Sequence, residues 1–184
     1  GHARAPGKLR CGVVGAGLIG AELARLAQPL FAEVRVMSQT ARPSLEARSP
    51  AGAAVSLGPV TGFEQAAEFF AWAHVLALVL PATPETERLY ADTLFGALRG
   101  DVLLLNLGRG ESLGEDALLA FLDANPSARF AADVAPVEPY PGDGRLYAHP
   151  RVLLTPHVAG RRAGVWELLL PPTLDALRLG LGKP

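Results

Sequence analysis

The 184-residue chain has a single cysteine, Cys11, and a single methionine, and its 17 Lys and Arg against 18 Asp and Glu leave a formal net charge of -1. One cysteine rules out an intrachain disulfide and any CxxC metal or redox site, which fits a reducing cytoplasm, and no metal is expected. The near-neutral balance provides no basic footprint for nucleic acid and no polybasic tail for a membrane surface. Long apolar runs are also missing. The longest, "FAWAHVLALVLPA", is too short to cross a bilayer and contains His74, while the start, "GHARAPGKLR", has no apolar signal region. Gly1 and His2 read as a tag remnant, so that residues 3–184 form the expected single domain. At 49% hydrophobic and 19% charged residues, the composition is that of a globular chain with a sizeable core.

Strand-length apolar runs alternate with helix-period segments. "LRCGVV" (9–14), "EVRVM" (33–37), "VLALVL" (75–80), "DVLLLN" (101–106), "RFAADV" (129–134) and "RVLLT" (151–155) read as strands, with "AAVSL" (53–57) a weaker one. Between them, Ile19, Leu23, Leu26 and Leu30 step by helical spacing onto one face, and Pro29 ends that helix. Residues 63–73 and 115–123 read as helices, and in "PATPETERL" Thr83 is placed to cap a helix with Pro84 in its first position. The C-terminal "AGVWELLLPPTLDALRLGLGKP" has helical spacing broken by Pro171 and Pro172, which predicts a kink or two helices. Near-continuous apolar strands separated by helices predict a doubly wound α/β fold, a parallel sheet covered on both faces.

"GAGLIG" matches G-x-G-x-x-G between the first strand and the first helix, with Gly15, Gly17 and Gly20 in the glycine positions and Leu18 and Ile19 opening the helix. The first glycine permits a tight turn, the second lets backbone approach a pyrophosphate, and the third lets helix and strand pack closely. Plain strand-helix packing also uses such turns, so the context carries the reading of a dinucleotide site. An acid is expected at the end of the second strand, to hold the ribose hydroxyls. Ser38 stands there instead, followed by Gln39, Thr40 and Arg42. A carboxylate repels a 2′-phosphate, whereas hydroxyls and a guanidinium attract it, so the stretch leans to NADP with NAD still open. An ordinary polar turn is the alternative.

In an open parallel sheet, ligands bind beyond the carboxyl ends of the strands. Arg109 follows strand 101–106, Asp133 ends strand 129–134 with Glu138 soon after, and His157 follows strand 151–155. Singly, the arginine reads as a solvated loop residue and the histidine as a satisfied hydrogen-bonder. Together, beside a glycine turn, their placement favours a functional reading over the structural one.

Five ordered motifs, "GVVGAGLIG", "LPATPETERL", "LLLNLGRGESLGEDALLAFL", "AADVAPVEPYP" and "LLTPHVAG", resemble the nucleotide-binding domain of the D-isomer-specific 2-hydroxyacid dehydrogenases over about residues 8–165. The "SQT" after the second strand is most similar to their glyoxylate/hydroxypyruvate reductase branch. The resemblance implies a Rossmann-type NAD(P)-binding domain. It implies that Arg109 binds the substrate carboxylate, that His157 is the general acid and Glu138 its orienting partner, and that Asp133 meets the nicotinamide carboxamide. Leu80, Pro81 and Thr86 would line the adenosine side of the cofactor and Leu107 the nicotinamide half. Family members also carry a substrate domain, which this chain is expected largely to lack, and they dimerise through the nucleotide-binding domain, so a homodimer is expected. The sequence departs from the family at Ala135, usually phenylalanine, at Gln39, often arginine in the NADPH branch, and at His74, often an acid and read as a surface substitution.

The expectation is thus hydride transfer between NAD(P)H and a small 2-oxo acid such as glyoxylate or hydroxypyruvate. The rival is a non-catalytic dinucleotide-binding or dimerisation module, which needs none of Arg109, Glu138 and His157. A formate dehydrogenase of the same superfamily is disfavoured, because such enzymes resemble one another in a glutamine where Glu138 stands.

Overall fold

Short β-branched and leucine-rich runs covered on both sides form the centre of the molecule, and the computed structural model describes residues 5–48 and 54–160. The strands of the main sheet are β1 (Arg10–Val14), β2 (Glu33–Met37), β5 (Val60–Thr61), β6 (Val75–Leu78), β7 (Leu103–Asn106), β8 (Arg129–Ala132) and β9 (Val152–Leu154). They lie in the order β5-β2-β1-β6-β7-β8-β9, and every pairing is parallel. The chain starts in the middle at β1, winds outward to one side through β2 and β5, then returns to β6 and winds to the other. The order therefore reverses between β1 and β6, which opens a crevice at the carboxyl ends of those strands.

Neighbouring strand residues point to opposite faces, and the two apolar clusters follow that alternation. Val14, Met37 and Leu76 join one with Phe70, Leu104, Leu122 and Phe130. Val13, Val36 and Val75 join the other with Ala21, Ala24 and Val60. All four residues of β6 are buried, as a strand covered on both faces requires. The helices are α1 (Leu18–Ala27), α2 (Ala66–Trp72), α3 (Pro84–Leu89), α4 (Phe95–Ala97), α5 (Glu115–Ala124) and α6 (Arg145–Ala148), with a π-helical stretch at Tyr90–Leu94 between α3 and α4. Thr83 caps α3 by accepting the Thr86 N–H, and Pro84 takes its first turn, as the sequence predicts.

Three expectations need correction. The face of α1 that meets the sheet is made of Gly20, Ala21, Ala24 and Ala27, whereas Ile19, Leu26 and Leu30 are 67%, 51% and 58% exposed. Small side chains win that face because the third glycine of the turn draws the helix against the sheet, leaving no room for leucine. The weak strand at 53–57 forms, as β4 (Ala54–Ser56), but pairs antiparallel with β3 (Glu46–Arg48) in a separate hairpin, and Val60–Thr61 takes the third place in the main sheet. His74 is half-buried rather than on the surface, and its Nδ1 accepts the Arg10 N–H at 3.2 Å. The kinked C-terminal segment lies outside the described residues.

Packing on α1 predicts opposite outcomes for two apolar changes. Ala24→Leu, at a fully buried position, should cost about 1–3 kcal/mol by overpacking, while Leu26→Gln on the outer face should stay within about 0.5 kcal/mol. Urea unfolding of the two variants checks this.

Candidate active site

Since all strands of the main sheet are parallel, each one delivers its following loop to the same edge. After β1 comes the glycine turn. Gly15 has φ +128°, a left-handed conformation that excludes other residues, and its N–H donates to the Met37 carbonyl at 2.7 Å. A side chain on Gly20 would collide with the Gly15 carbonyl, whereas one on Gly17 would meet nothing within 4 Å. Gly17 is also the N-cap of α1 and contributes no side-chain cap, so the first N–H groups of the helix, at Leu18 and Ile19, remain for an anion. The open space above Gly17 and these unclaimed donors fit a pyrophosphate.

After β2, Ser38 is buried and its hydroxyl donates to the Thr40 carbonyl at 2.7 Å. The serine thus shapes the turn, and the exposed side chains of Gln39, Thr40 and Arg42 are left as donors. The Arg42 backbone is itself paired with Val60. After β6 come half-buried Leu80 and exposed Pro81. Thr86 is 3% exposed with its hydroxyl 3.2 Å from that of Thr83, so it serves the α3 cap.

After β7, Leu107 is 41% exposed and its N–H bonds the Leu78 carbonyl, which holds it beside β6. Asn106, 2% exposed, folds the turn that presents Arg109. Its Oδ1 accepts the Gly108 N–H at 3.1 Å and its Nδ2 donates to the Arg109 carbonyl at 3.0 Å. Arg109 is exposed, and its Nη1 donates to the Gly108 carbonyl at 2.9 Å. Gly110 sits against the Ala135 backbone so closely that any side chain there would clash, which couples this turn to the loop after β8.

The loops after β8 and β9 are joined by Asp133. Its Oδ1 accepts from Thr155 Oγ1 at 2.5 Å and from the Val158 N–H at 3.0 Å, and its Oδ2 accepts the Ala159 N–H at 2.8 Å. Burial alone would raise this carboxyl, but the bonds from Thr155, Ala159 and Val158, with the His157 charge, hold it below the ordinary aspartate range. Glu138 is likewise below the ordinary glutamate value, chiefly through its bond to His157 and then through the Ala135 N–H, with Asp133 opposing.

His157 is no core residue, its side chain being 52% exposed. It has φ 52°, the one positive φ outside glycine among the described residues. Its Nδ1 lies 2.7 Å from Glu138 Oε2. An ionised carboxylate only accepts, so Nδ1 carries the hydrogen and Nε2 is the nitrogen free for another partner. A cavity of about 590 Å³ borders this pair, with Tyr140, Tyr147, Leu154 and Thr155 in its wall.

Glu138 and His157 are therefore bonded to each other, Asp133 clamps residues on both sides of His157, and Gly110 packs the Arg109 turn against Ala135. Sequence reasoning missed Asn106 and Thr155. Their signal was weak but present: a polar residue closing an apolar strand, and a threonine directly before Pro-His. Among the described residues no group of His, Cys, Asp and Glu could hold a metal ion, and no helix is long and apolar enough to cross a membrane.

A parallel sheet wound both ways from β1, with an uncapped glycine turn and a carboxylate-bonded histidine at one edge, defines a dinucleotide-binding domain. The chain belongs to the D-isomer specific 2-hydroxyacid dehydrogenases, as their NAD binding domain, and the family model matches residues 3–159. It is 38% identical over 148 residues to a glyoxylate/hydroxypyruvate reductase A of Klebsiella pneumoniae, covering 80% of this chain and 44% of that protein. The chain thus spans less than half the length of the curated relatives it matches. A D-isomer specific 2-hydroxyacid dehydrogenase from Xanthobacter autotrophicus Py2, crystallised with NADPH and MES, superposes with a TM-score of 0.79 at 30% identity, over 100% of this chain and 71% of that one. A family protein from Klebsiella pneumoniae 342 superposes with a TM-score of 0.72 at 32% identity, over 96% of this chain and 54% of that one.

Proposed function

We propose that this chain is the cofactor-binding and proton-donating domain of an NADP-preferring reductase of small 2-oxo acids, glyoxylate or hydroxypyruvate among them. The observation that carries the reading is the Glu138–His157 bond of 2.7 Å at the sheet edge that also holds the glycine turn. When bound, the dinucleotide supplies the hydride.

The residues of the chain supply the rest. Arg109 projects into solvent and keeps guanidinium donors beyond its Gly108 bond, enough to grip a carboxylate and polarise the adjacent carbonyl. His157 offers Nε2 as the proton donor to the oxygen that becomes an alkoxide, while Glu138 fixes the ring through Nδ1. Asp133 spends three of about four acceptor positions on Thr155, Val158 and Ala159, which leaves one for a carboxamide. At the adenosine end, Ser38 spares the site a carboxylate, and Thr40 and Arg42 attract a 2′-phosphate. Homology to NADPH-crystallised and reductase relatives supports the same reading.

The chain should bind NADPH more tightly than NADH, and Ser38→Asp should reverse the order. Calorimetric titration of both cofactors checks this, and NADH-favoured binding by the wild type contradicts it. In the chain extended by whatever its gene encodes on either side, His157→Ala should lower glyoxylate reduction about 10²–10⁴-fold and leave NADPH affinity nearly unchanged. Equal turnover without His157 would make that residue structural.

A homodimer belongs to the same proposal, supported by the exposed leucines Leu26 on the outer face of α1 and Leu30 just beyond its end. Sedimentation at tens of micromolar, a rough range for weak interfaces, should show dimer, and monomer alone contradicts it.

A further inference from the structure

A polar network joins α5 to the loop carrying Glu138 and has no part in the chemistry above. The Tyr140 hydroxyl donates to Glu115 Oε2 at 2.9 Å and accepts the Leu146 N–H at 3.2 Å. Arg145 Nε donates to Glu115 Oε1 at 3.0 Å, and its Nη2 to Asp116 Oδ1 at 2.7 Å. The phenol ring lies where a side chain on Gly144 would have to go, and stands edge-on to Tyr147 with centroids 5.4 Å apart. Residues 140–147 therefore fold back around one ring, whose oxygen is tied to the first residue of α5.

The backbone between Ala135 and Tyr140 is anchored at both ends. Ala135 is buried, residues 137–139 are exposed, and Tyr140 is half-buried again, so Glu138 hangs between two anchors. At the first, the Ala135 N–H holds Glu138 Oε1 at 3.1 Å. An exposed ion pair contributes little by itself, because holding two mobile side chains together costs about as much entropy as the contact returns. With side chains 52% and 40% exposed, the His157–Glu138 contact depends on a backbone held in place on both sides.

We propose that Tyr140, held by Glu115, is a positioning residue that fixes the segment carrying Glu138 so that its carboxylate meets the imidazole of His157. Glu115 supplies the acceptor from a helix, a more rigid base than the loop itself, and Arg145 closes the loop on the same carboxylate. Burial raises the Tyr140 phenol above the ordinary tyrosine value, the Leu146 N–H opposes this and the Glu115 carboxylate adds to it. The hydroxyl therefore stays a donor across the working range. The inference rests on the reading of Glu138 and His157 as a working pair, but its test needs no turnover.

The test follows the Glu138 carboxyl by carbon-detected NMR titration and the histidine ring N–H signals in the intact chain. In the wild type, Glu138 should titrate below ordinary glutamate, with a protected Nδ1–H on His157. Tyr140→Phe keeps the ring but removes the hydroxyl. It should move the Glu138 midpoint up toward the ordinary value of about 4.3, remove the protected Nδ1–H signal, and speed hydrogen exchange at Leu146. Glu115→Ala should do the same, while Glu115→Gln, which keeps a carbonyl acceptor for the phenol, should restore the wild-type midpoint. Should Tyr140→Phe fail to fold, Glu115→Ala decides, since Glu115 belongs to neither apolar cluster. An unchanged Glu138 midpoint in folded Tyr140→Phe or Glu115→Ala overturns the proposal. So does Glu115→Gln behaving like Glu115→Ala, because the Arg145 ion pair would then be the working contact. If Glu138 shifts as expected but the extended protein reduces no 2-oxo acid, the positioning role holds and the functional reading alone fails.

Discussion

Every strand of the main sheet runs the same way, and that constraint decides where chemistry is possible in this molecule. Parallel pairing sends the loops after β1, β2, β6, β7, β8 and β9 to a single edge. The opposite edge receives only the strand starts. Groups separated by more than a hundred residues, such as Gly17 and His157, reach the same sheet edge without any direct bond between them. The winding reversal at β1 then leaves a crevice there uncovered by a crossover.

Within that edge, the structure holds its histidine by overdetermination. A left-handed backbone outside glycine costs of order 1–3 kcal/mol and persists only where neighbours impose it. Here the flanking residues impose it: Thr155, Val158 and Ala159 all bond to Asp133, and the His157 N–H bonds the Thr155 carbonyl at 2.9 Å. Asp133 thereby clamps the β9 loop with one carboxylate. Its negative charge and that of Glu138 both lie near the imidazole.

Much of this was legible in the residues. The β1 and β2 boundaries, the Thr83 cap and the glycine turn are set by local pattern, and local pattern is what a sequence displays. Arg109, Glu138 and His157 were singled out because strand ends in a parallel sheet have a fixed destination, and all three do follow strands at one edge. The face of α1 was misjudged because periodicity favours the large apolar residues, while the sheet needed the small ones that Gly20 brings into contact. The hairpin at β3 and β4 was not visible, since three-residue strands owe their partners to tertiary packing. Asn106, Thr155 and Tyr140 escaped because they act through turn backbone (Asn106) or a carboxylate distant in sequence (Asp133 for Thr155, Glu115 for Tyr140), which no spacing rule encodes.

In the function proposed above, the glycine turn and the bonded histidine share one ligand edge, with Gly17 facing the dinucleotide and Gly20 facing the protein. Titrating NADPH into the wild type and Gly17→Ala, with urea unfolding of each, tests it most directly. A methyl on Gly17 meets no protein atom within 4 Å, so the variant should keep its stability within about 1 kcal/mol, the cost of alanine at an N-cap. It should also lose at least about tenfold in NADPH affinity, or about 1.4 kcal/mol. A stable Gly17→Ala chain that binds NADPH as tightly as the wild type would contradict the account.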